Sequence, residues 1–356
     1  MSPRGNFATM RQPRSKITDV ARLAGVSVAS VSRVLNETDP VADATRLKVL
    51  KAVEDLDFRI DLRARALSRQ KSETLGIVVA DVSNPFTAQV LKAIDFITRE
   101  NGYALMLSDS GEDIDRERQN LEAMVAQRIE GIIYLPVTLS GASLRGLIAQ
   151  EIPIVCLDRY VEDVATDAVI MDNERAGALA AGALVEAGHT RIGVIVAGES
   201  TVGRDRLRGF ELELGRLGAP LNRNWIRVGD LSLESGRKHT LSLSAQRDGP
   251  TAIFVQNHPM ALGTLLAFRE RGLRVPADVS VISFDDPSWA QLVEPALTTI
   301  RQPTHELGSA AARMLIDRVA RRYVGAPRRI VVEPLLVFRE SVGPPIVRAG
   351  RRVNEQ

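Results

Sequence analysis

Between residues 17 and 58 the apolar positions recur at helical spacing, and beyond residue 75 they gather into short continuous runs. In ITDVARLAG, residues 17–25, Ile17, Val20, Ala21 and Ala24 share one helical face, and Gly25 stands where a left-handed helix-ending residue is wanted. Val26-Ser27 make a short turn with Ser27 as N-cap, and VASVSRVLN follows as a second helix with Val31, Val34 and Leu35 facing inward. DATRLKVLKAVEDLDF repeats the pattern with Leu47, Leu50, Val53 and Leu56. Two helices joined through a tight glycine turn and buttressed by a third form a helix-turn-helix. After a basic stretch, RIDLRARALSRQKSE at 59–73, come LGIVVA, YALMLS, GIIYLP, IVCLD, AVIMD, RIGVIVAG, WIRVGD, AIFVQN and VSVISFDD, alternating with amphipathic segments. That alternation predicts doubly wound parallel sheets, with too many runs for one compact sheet and enough for two α/β lobes.

The 356-residue chain is 45% hydrophobic and 25% charged, ordinary globular composition with room for two or three domains. Its net charge of +2 hides an uneven distribution. Residues 1–71 hold 14 Lys/Arg against 8 Asp/Glu, and the remaining residues 32 against 36, so a basic head precedes a mildly acidic body. A polyanion is therefore a partner for the head alone. The exposed side of VASVSRVLN is built of small residues with one cation, Arg33, as a face that lies close against a partner would be. The single cysteine, Cys156, sits in the apolar run IVCLD and reads as inert packing, so no disulfide framework is expected. The N-terminus has no apolar signal region and no run approaches membrane-spanning length, so a cytoplasmic protein is expected, with residues 1–15 a disordered basic arm.

Polar residues cluster directly after the apolar runs: Asp81 with Ser83-Asn84, Asp109, Asp158, Asp172, Asn257-His258 and Asp285-Asp286. In open α/β sheets ligands bind beyond the carboxyl ends of the strands, so the set points to one cleft. Each residue taken singly is equally well read as a cap or turn former for the next helix. Enzyme chemistry finds little footing. GESTVGRD, residues 198–205, mimics P-loop spacing but has Arg204 and Asp205 where Lys and Ser/Thr are required. No HExxH, GxSxG or paired-cysteine pattern occurs, Asp285-Asp286 lacks a nucleophile, and no metal or cofactor is implied.

Several stretches together resemble the LacI/GalR (lactose-repressor/galactose-repressor) family of bacterial transcription regulators: ITDVARLAGVSVASVSRVLN, DVSNPF, EGIIYLP, AGHTRIGVIVAG, RDRLRGF, the NHPMALG region, GLRVPADVSVISFDD and LTTIRQP, in order. The resemblance implies an all-α headpiece over 16–59, a hinge helix over 60–73 and a two-lobed α/β core over 74–343 similar to periplasmic sugar-binding proteins. Lobe one would take about 74–171 and 302–329, lobe two about 172–301 and 330–343, and 344–356 would be a tail. It implies that Val28, Ala29 and Arg33 read base edges in the major groove, while Ser27, Ser30, Ser32, Asn36 and Thr45 position the helix on phosphates. Leu67 occupies the place of a minor-groove wedge, with Asp61 as hinge N-cap and Arg63, Arg65 and Arg69 near phosphates. Ile60 and Arg63 depart from the family's proline and apolar residue there.

For the core, the resemblance implies an effector cleft lined by Asn84, Phe86, Asp109, Asp158, Arg206, Asn257, His258 and Asp285. Carboxylates would accept from hydroxyls, Arg206 would donate in a fork and Phe86 would cover a sugar face. His258 stands where the family usually has an aspartate, and Leu231 where an aromatic often stacks on ligand. These departures tilt the expectation towards a sugar acid, with Trp289 supplying the missing stacking surface. The expected whole is a homodimeric repressor that binds a double-stranded operator and answers to a sugar or sugar-acid effector. The rival reading is a cytoplasmic solute-binding protein without operator recognition.

Overall fold

The structure, a computed structural model, describes residues 15–36, 41–58, 72–198 and 200–345. The expected basic arm apart from Ser15, hinge residues 60–71 with Leu67, Asp61, Arg63, Arg65 and Arg69, and nearly all of the tail lie outside the described residues. The chain divides into two compact units, 1–72 and 73–356.

In the first unit, α1 (Ile17–Ala24) ends at Gly25, whose φ of 66° is the left-handed value the sequence called for. The turn is closed by Val26 N donating to Ala21 O at 3.0 Å. Ser27 then caps α2 (Val28–Asn36), its Oγ accepting from Ser30 N at 3.1 Å. The third helix, α3 (Asp43–Asp55), completes a core of Val20, Ala21, Ala24, Val31, Val34, Val49 and Ala52. Ser15, expected in the arm, is anchored to this unit by its Oγ donating to Leu56 O at 3.0 Å.

One expectation about α3 fails. Leu47 and Leu50 are 69% and 47% exposed, and Val49 and Ala52 fill the core, with Val53 and Leu56 packed beside them. At 3.6 residues per turn Leu47 lies about 200° and Leu50 about 100° round the helix from Val49, so one apolar stripe cannot contain all of them.

The second unit contains two six-stranded sheets. The first collects β1 (Thr74–Val79), β2 (Ala104–Asp109), β3 (Ile132–Tyr134), β4 (Ile154–Leu157), β5 (Asp167–Met171) and β11 (Arg329–Val332), in the order β11-β5-β4-β3-β1-β2. The second collects β6 (Ile192–Ala197), β7 (Ile226–Gly229), β8 (Ala252–Val255), β9 (Ser280–Phe284), β10 (Thr298–Arg301) and β12 (Leu335–Val337), in the order β12-β10-β9-β8-β6-β7. All pairs are parallel except β10 with β12. The helices are α4 (Pro85–Glu100), α5 (Ile114–Ala126), α6 (Arg145–Ala149), α7 (Asn173–Glu186), α8 (Thr201–Arg216), α9 (Leu233–Ser244), α10 (His258–Arg271) and α11 (Thr304–Val319). Among the described residues none is long and apolar enough to cross a membrane.

The chain passes between lobes after β5, after β10 and between β11 and β12. Because β11 pairs with β5 through Val332, the last crossing falls at Glu333-Pro334, a few residues beyond the expected 329–330. A buried ion cluster fixes that return: Asp167 accepts from Arg318 Nε and Nη2, both at 2.8 Å, and from Arg328 N at 2.7 Å. In lobe two, α7 and α8 cross at Gly177 and Gly209. A Cβ at Gly177 would collide with the Arg206 carbonyl, and one at Gly209 with that of Glu174. This close approach brings Arg206 against Asn173 at the start of α7.

Candidate nucleic-acid interface and effector cleft

On α2, Val31 and Val34 are buried and Leu35 is half-buried, whereas Val28, Ala29 and Arg33 are exposed and Ser32 half-buried. Positions 28, 29, 32 and 33 fall within one arc of a 3.6-residue helix, so the small side chains and the cation share an outer surface. Two of the expected phosphate donors are partly occupied. Ser27 Oγ accepts from Ser30 N, and the two hydroxyls share a hydrogen bond at 2.9 Å, leaving one hydroxyl hydrogen of the pair for a phosphate. Thr45 lies half-buried in the first turn of α3. The Asn36 side chain and Leu67 are outside what is described.

The core cleft draws on strand ends from both lobes. Asp158 follows β4 with a φ of 66° and Asp285 follows β9 with a φ of 67°, a left-handed conformation that costs about 1–3 kcal/mol at a non-glycine residue and recurs at ligand sites. Arg206, only 5% exposed, feels the charges of both. Its Nε donates to Asn173 Oδ1 at 2.8 Å, its Nη1 to Gln256 O at 3.0 Å, and its guanidinium sits 3.3 Å from the ring centre of Phe284. Burial pulls the Arg206 pKa down to about 10 against the opposing pull of Asp158 and Asp285. Burial likewise raises the Asp158 carboxyl, with Arg159 and Arg206 opposing.

Several buried polar atoms at this cleft have no protein partner: Asp158 Oδ1, Gln256 Nε2, Gln302 Oε1 and Thr201 Oγ1. Gln302 Nε2 donates to Asp285 Oδ1 at 2.7 Å, and Gln256 Oε1 accepts from Ala197 N at 3.2 Å, so each glutamine has one amide end satisfied and the other not. Buried polar groups are almost always paired, at a cost of roughly 1–3 kcal/mol when they are not. A cluster of unpaired donors and acceptors is chemistry for a hydroxylated ligand.

The other expected residues divide. Phe86 is buried and meets His258 and Asp285 across a recess of about 30 Å³ that also takes in Gln89 and Gln302. Asn84 and Asn257 are helix caps, their Oδ1 atoms accepting from Phe86 N and Met260 N at 3.0 Å. Asp172 caps α7 in the same way. His258 Nδ1 lies 3.3 Å from Asp285 Oδ2, so that nitrogen is turned to the aspartate and is no donor for an anionic ligand. Asp109 is exposed at the end of an edge strand, where Oδ1 accepts from Val82 N at 3.0 Å. It orders the loop after β1. Trp289 packs half-buried beside the cluster around Val281 and Leu297.

A larger cavity of about 370 Å³ had no place in the sequence reading apart from Leu231. Lobe one contributes Glu112, Ile114, Val137, Arg159 and Tyr160, and lobe two Ala197, Thr201 and Leu231. Arg159 makes a fork with Glu112, Nη2 to Oε1 at 2.7 Å and Nη1 to Oε2 at 2.9 Å. Burial opposes the charge on Arg159, but Glu112 outweighs it and raises the pKa. At the rim Arg204 Nη2 reaches Glu162 Oε1 at 2.8 Å, joining the lobes. The only sequence signals were adjacency: Arg159 follows Asp158, and Gln256 precedes Asn257.

Comparison with known proteins bears on both parts. Residues 16–60 match the family described as bacterial regulatory proteins, lacI family, and residues 181–342 a periplasmic binding protein-like domain. The chain is 36% identical to the HTH-type transcriptional repressor PurR of Photobacterium profundum, covering 92% of this chain and 98% of that one. The crystal structure of the lac repressor dimer bound to operator and the anti-inducer ONPF superposes with a TM-score of 0.83 at 29% identity, covering 93% of this chain and all of that one. A complex of the transcriptional regulator CelR with cellobiose matches at a TM-score of 0.69 and 30% identity, over 92% of this chain and all of that one.

Proposed function

Because this chain belongs to the LacI family of bacterial regulatory proteins, whose members bind operators as dimers, we propose that it is a homodimeric repressor governed by a neutral polyhydroxy effector in the core cleft. The observation that carries the effector is the set of buried unpaired atoms on Asp158, Gln256 and Gln302 around Arg206. Hydroxyls, which both donate and accept, suit this mixture of donor and acceptor atoms. Around Arg206 the charges of Asp158, Asp285 and Asp205 outnumber the one further cation, Arg159, which is itself paired with Glu112, and His258 leans on Asp285, so the balance favours a neutral sugar over a sugar acid. On the DNA side, Val28 and Ala29 set the approach to the major groove, Arg33 reads a guanine bidentately, and Ser27, Ser30, Ser32, Asn36 and Thr45 hold phosphates. Leu67 is the proposed minor-groove wedge. Such a protein works on chromosomal DNA in the cytoplasm and catalyses no reaction.

Effector closure of the lobes changes operator affinity when the two lobe arrangements bind the ligand unequally, with a coupling of about 1–3 kcal/mol. The test selects genomic fragments on the full-length protein with and without a panel of neutral sugars and sugar acids. The expected result is a small set of pseudo-palindromic fragments whose retention changes with a neutral sugar only. Failure to retain DNA at low salt would overturn the repressor and leave a solute-binding protein. A response confined to sugar acids would overturn the charge argument.

A further inference from the structure

Residues 135–139 run past the cavity of about 370 Å³ with no helix or strand to hold them, and Pro136, Val137, Thr138 and Leu139 line it. Backbone bonds tie the two ends of this segment, Leu135 N donating to Val78 O at 2.9 Å and Glu162 N to Leu139 O at 3.0 Å. Between those ties one peptide unit is gripped at both ends by side chains of opposite charge. The Pro136 carbonyl accepts from Arg159 Nη1 at 3.2 Å, and the N–H of the same unit, on Val137, donates to Glu117 Oε2 at 2.7 Å. Each end of the peptide dipole therefore meets the sign of charge that suits it. Arg159 is in turn forked onto Glu112, so an acid, a peptide, a cation and a second acid follow one another from the interior of lobe one to the cavity.

We propose that Glu117 is a positioning residue for the effector cavity: its carboxylate fixes the Pro136–Val137 peptide and, with it, the wall that Val137, Thr138 and Leu139 present to a ligand. The identity of what fills the cavity rests on the effector reading above; the clamp does not. Glu117 stands in the first turn of α5 within the polar run IDRERQ, which in sequence looks like a solvated helix start, yet it is 0% exposed and cannot itself touch a ligand. A glutamate is almost never fully buried unless it is engaged. The groups around it are Tyr134 on β3, Cys156 on β4, Arg159 just beyond β4 and Glu112 ahead of α5, while β2 ends in Asp109, which is exposed and engaged by Val82 N. Oε1 and the buried Tyr134 hydroxyl make no well-aligned hydrogen bond but lie close enough to shift one another. Burial raises the Glu117 carboxyl, with Tyr134, the Val137 N–H and Arg159 opposing. Burial also pushes the Cys156 thiol up to about 11 and raises Tyr134, so Glu117 is the member of this buried group that titrates on the acid side of neutrality. A carboxylate holds an N–H about twice as strongly as a neutral acceptor does, so acidification slackens the clamp.

The experiment is hydrogen exchange read by mass spectrometry on the full-length protein from about pH 4.5 to 7.5, corrected for the intrinsic rate at each pH. In wild type, protection of residues 135–141 is expected to fall about fivefold on acidification while β6, β8 and β9 of lobe two keep theirs. Glu117→Gln, which keeps an acceptor for Val137 N–H and cannot titrate, should hold constant protection across the range. Glu117→Leu leaves that N–H unpaired and should lose about tenfold or more at every pH. Calorimetric titration near neutrality with glucose, galactose, ribose and cellobiose supplies the functional readout: a sugar that binds wild type should bind the Leu variant about fivefold more weakly and the Gln variant within about twofold. Exchange at 135–141 that ignores pH in wild type, or that is unchanged in the Leu variant, overturns the clamp. Protection lost equally in both lobes makes Glu117 a residue of the fold alone and overturns the proposal, as does a loosened wall with unaltered affinity. If none of the four sugars binds wild type, the polyhydroxy reading is what fails, and exchange still decides whether Glu117 fixes the wall.

Discussion

The outer face of α2 and the floor of the core cleft solve opposite problems. The helix keeps its polar atoms exposed or satisfied by near neighbours, as Ser27 and Ser30 do, and presents a slim surface whose partner supplies the pattern. The cleft buries its polar atoms and leaves several unpaired, so the partner must supply the missing hydrogen bonds. A surface of the first kind is recognised by shape and a few donors, and its residues can change without harming the fold. One of the second kind is part of the core's own electrostatics, so function and stability are coupled there.

The largest effect that separates the two is expected at Arg206. Arg206→Ala removes the cation that offsets Asp158 and Asp285 together with its hydrogen bonds to Asn173 and Gln256, which is the case in which breaking a buried charge set costs about 3–5 kcal/mol. Thermal denaturation should show the core melting well below wild type, and effector binding should vanish. Arg206→Lys should recover little, since one ammonium cannot hold both bonds and lie over Phe284. A loss of stability under about 1 kcal/mol would mean that the cleft tolerates unpaired charge as a surface does, and the comparison would fail.

Arg33→Ala is the counterpart on the helix. Arg33 is exposed, so its loss should lower the melting temperature far less than Arg206→Ala does, while operator affinity falls by about 1–3 kcal/mol and discrimination relaxes at one base position. Binding of random-sequence DNA should fall less. Equal losses on operator and random DNA would reassign Arg33 from base reading to phosphate contact.

The same contrast explains what the sequence could show. The α2 faces follow from spacing alone, because one helix contributes every residue and the period fixes the surface. In α3 spacing was insufficient: Leu47 and Leu50 exceed Val49 and Ala52 in hydrophobicity, yet the narrow inward stripe of a close-packed third helix decides. The sheets were legible from their apolar central runs, whereas β10, TTIR, is half polar in sequence and much of β11 and β12 is exposed, so they carry a weaker signal. In the cleft, Asp158 and Asp285 were named because strand ends converge in α/β folds, while Arg206, inside a helix, was named only through the family resemblance. Asp109 ends a strand at the sheet edge and Trp289 packs within lobe two, structural roles that the sequence pattern did not announce. Glu112, Arg159 and Thr201 become neighbours only when two lobes meet, a juxtaposition no local pattern encodes.

The smallest expected effect, and the finest test of the cleft's dual role, is a pH dependence at Asp158. Burial raises its carboxyl above the ordinary value of 3.8. Between that value and the raised one the folded chain binds more protons than the unfolded chain, so this group's contribution to stability declines as pH rises through the window. A ligand hydroxyl donating to Oδ1 prefers the carboxylate, so effector affinity should move the other way and weaken as pH falls through the same window. Glu117 and Asp205 are also raised by burial and blur the total stability curve. The informative quantity is therefore the difference between wild type and Asp158→Asn, measured by thermal shift and by titration with the effector sugar from about pH 4 to 7. The variant should melt slightly higher than wild type near neutrality, bind the sugar weakly at every pH and show no slope in affinity. A slope that persists in the variant would place the titrating group elsewhere in the cleft and detach ligand binding from the buried carboxylate.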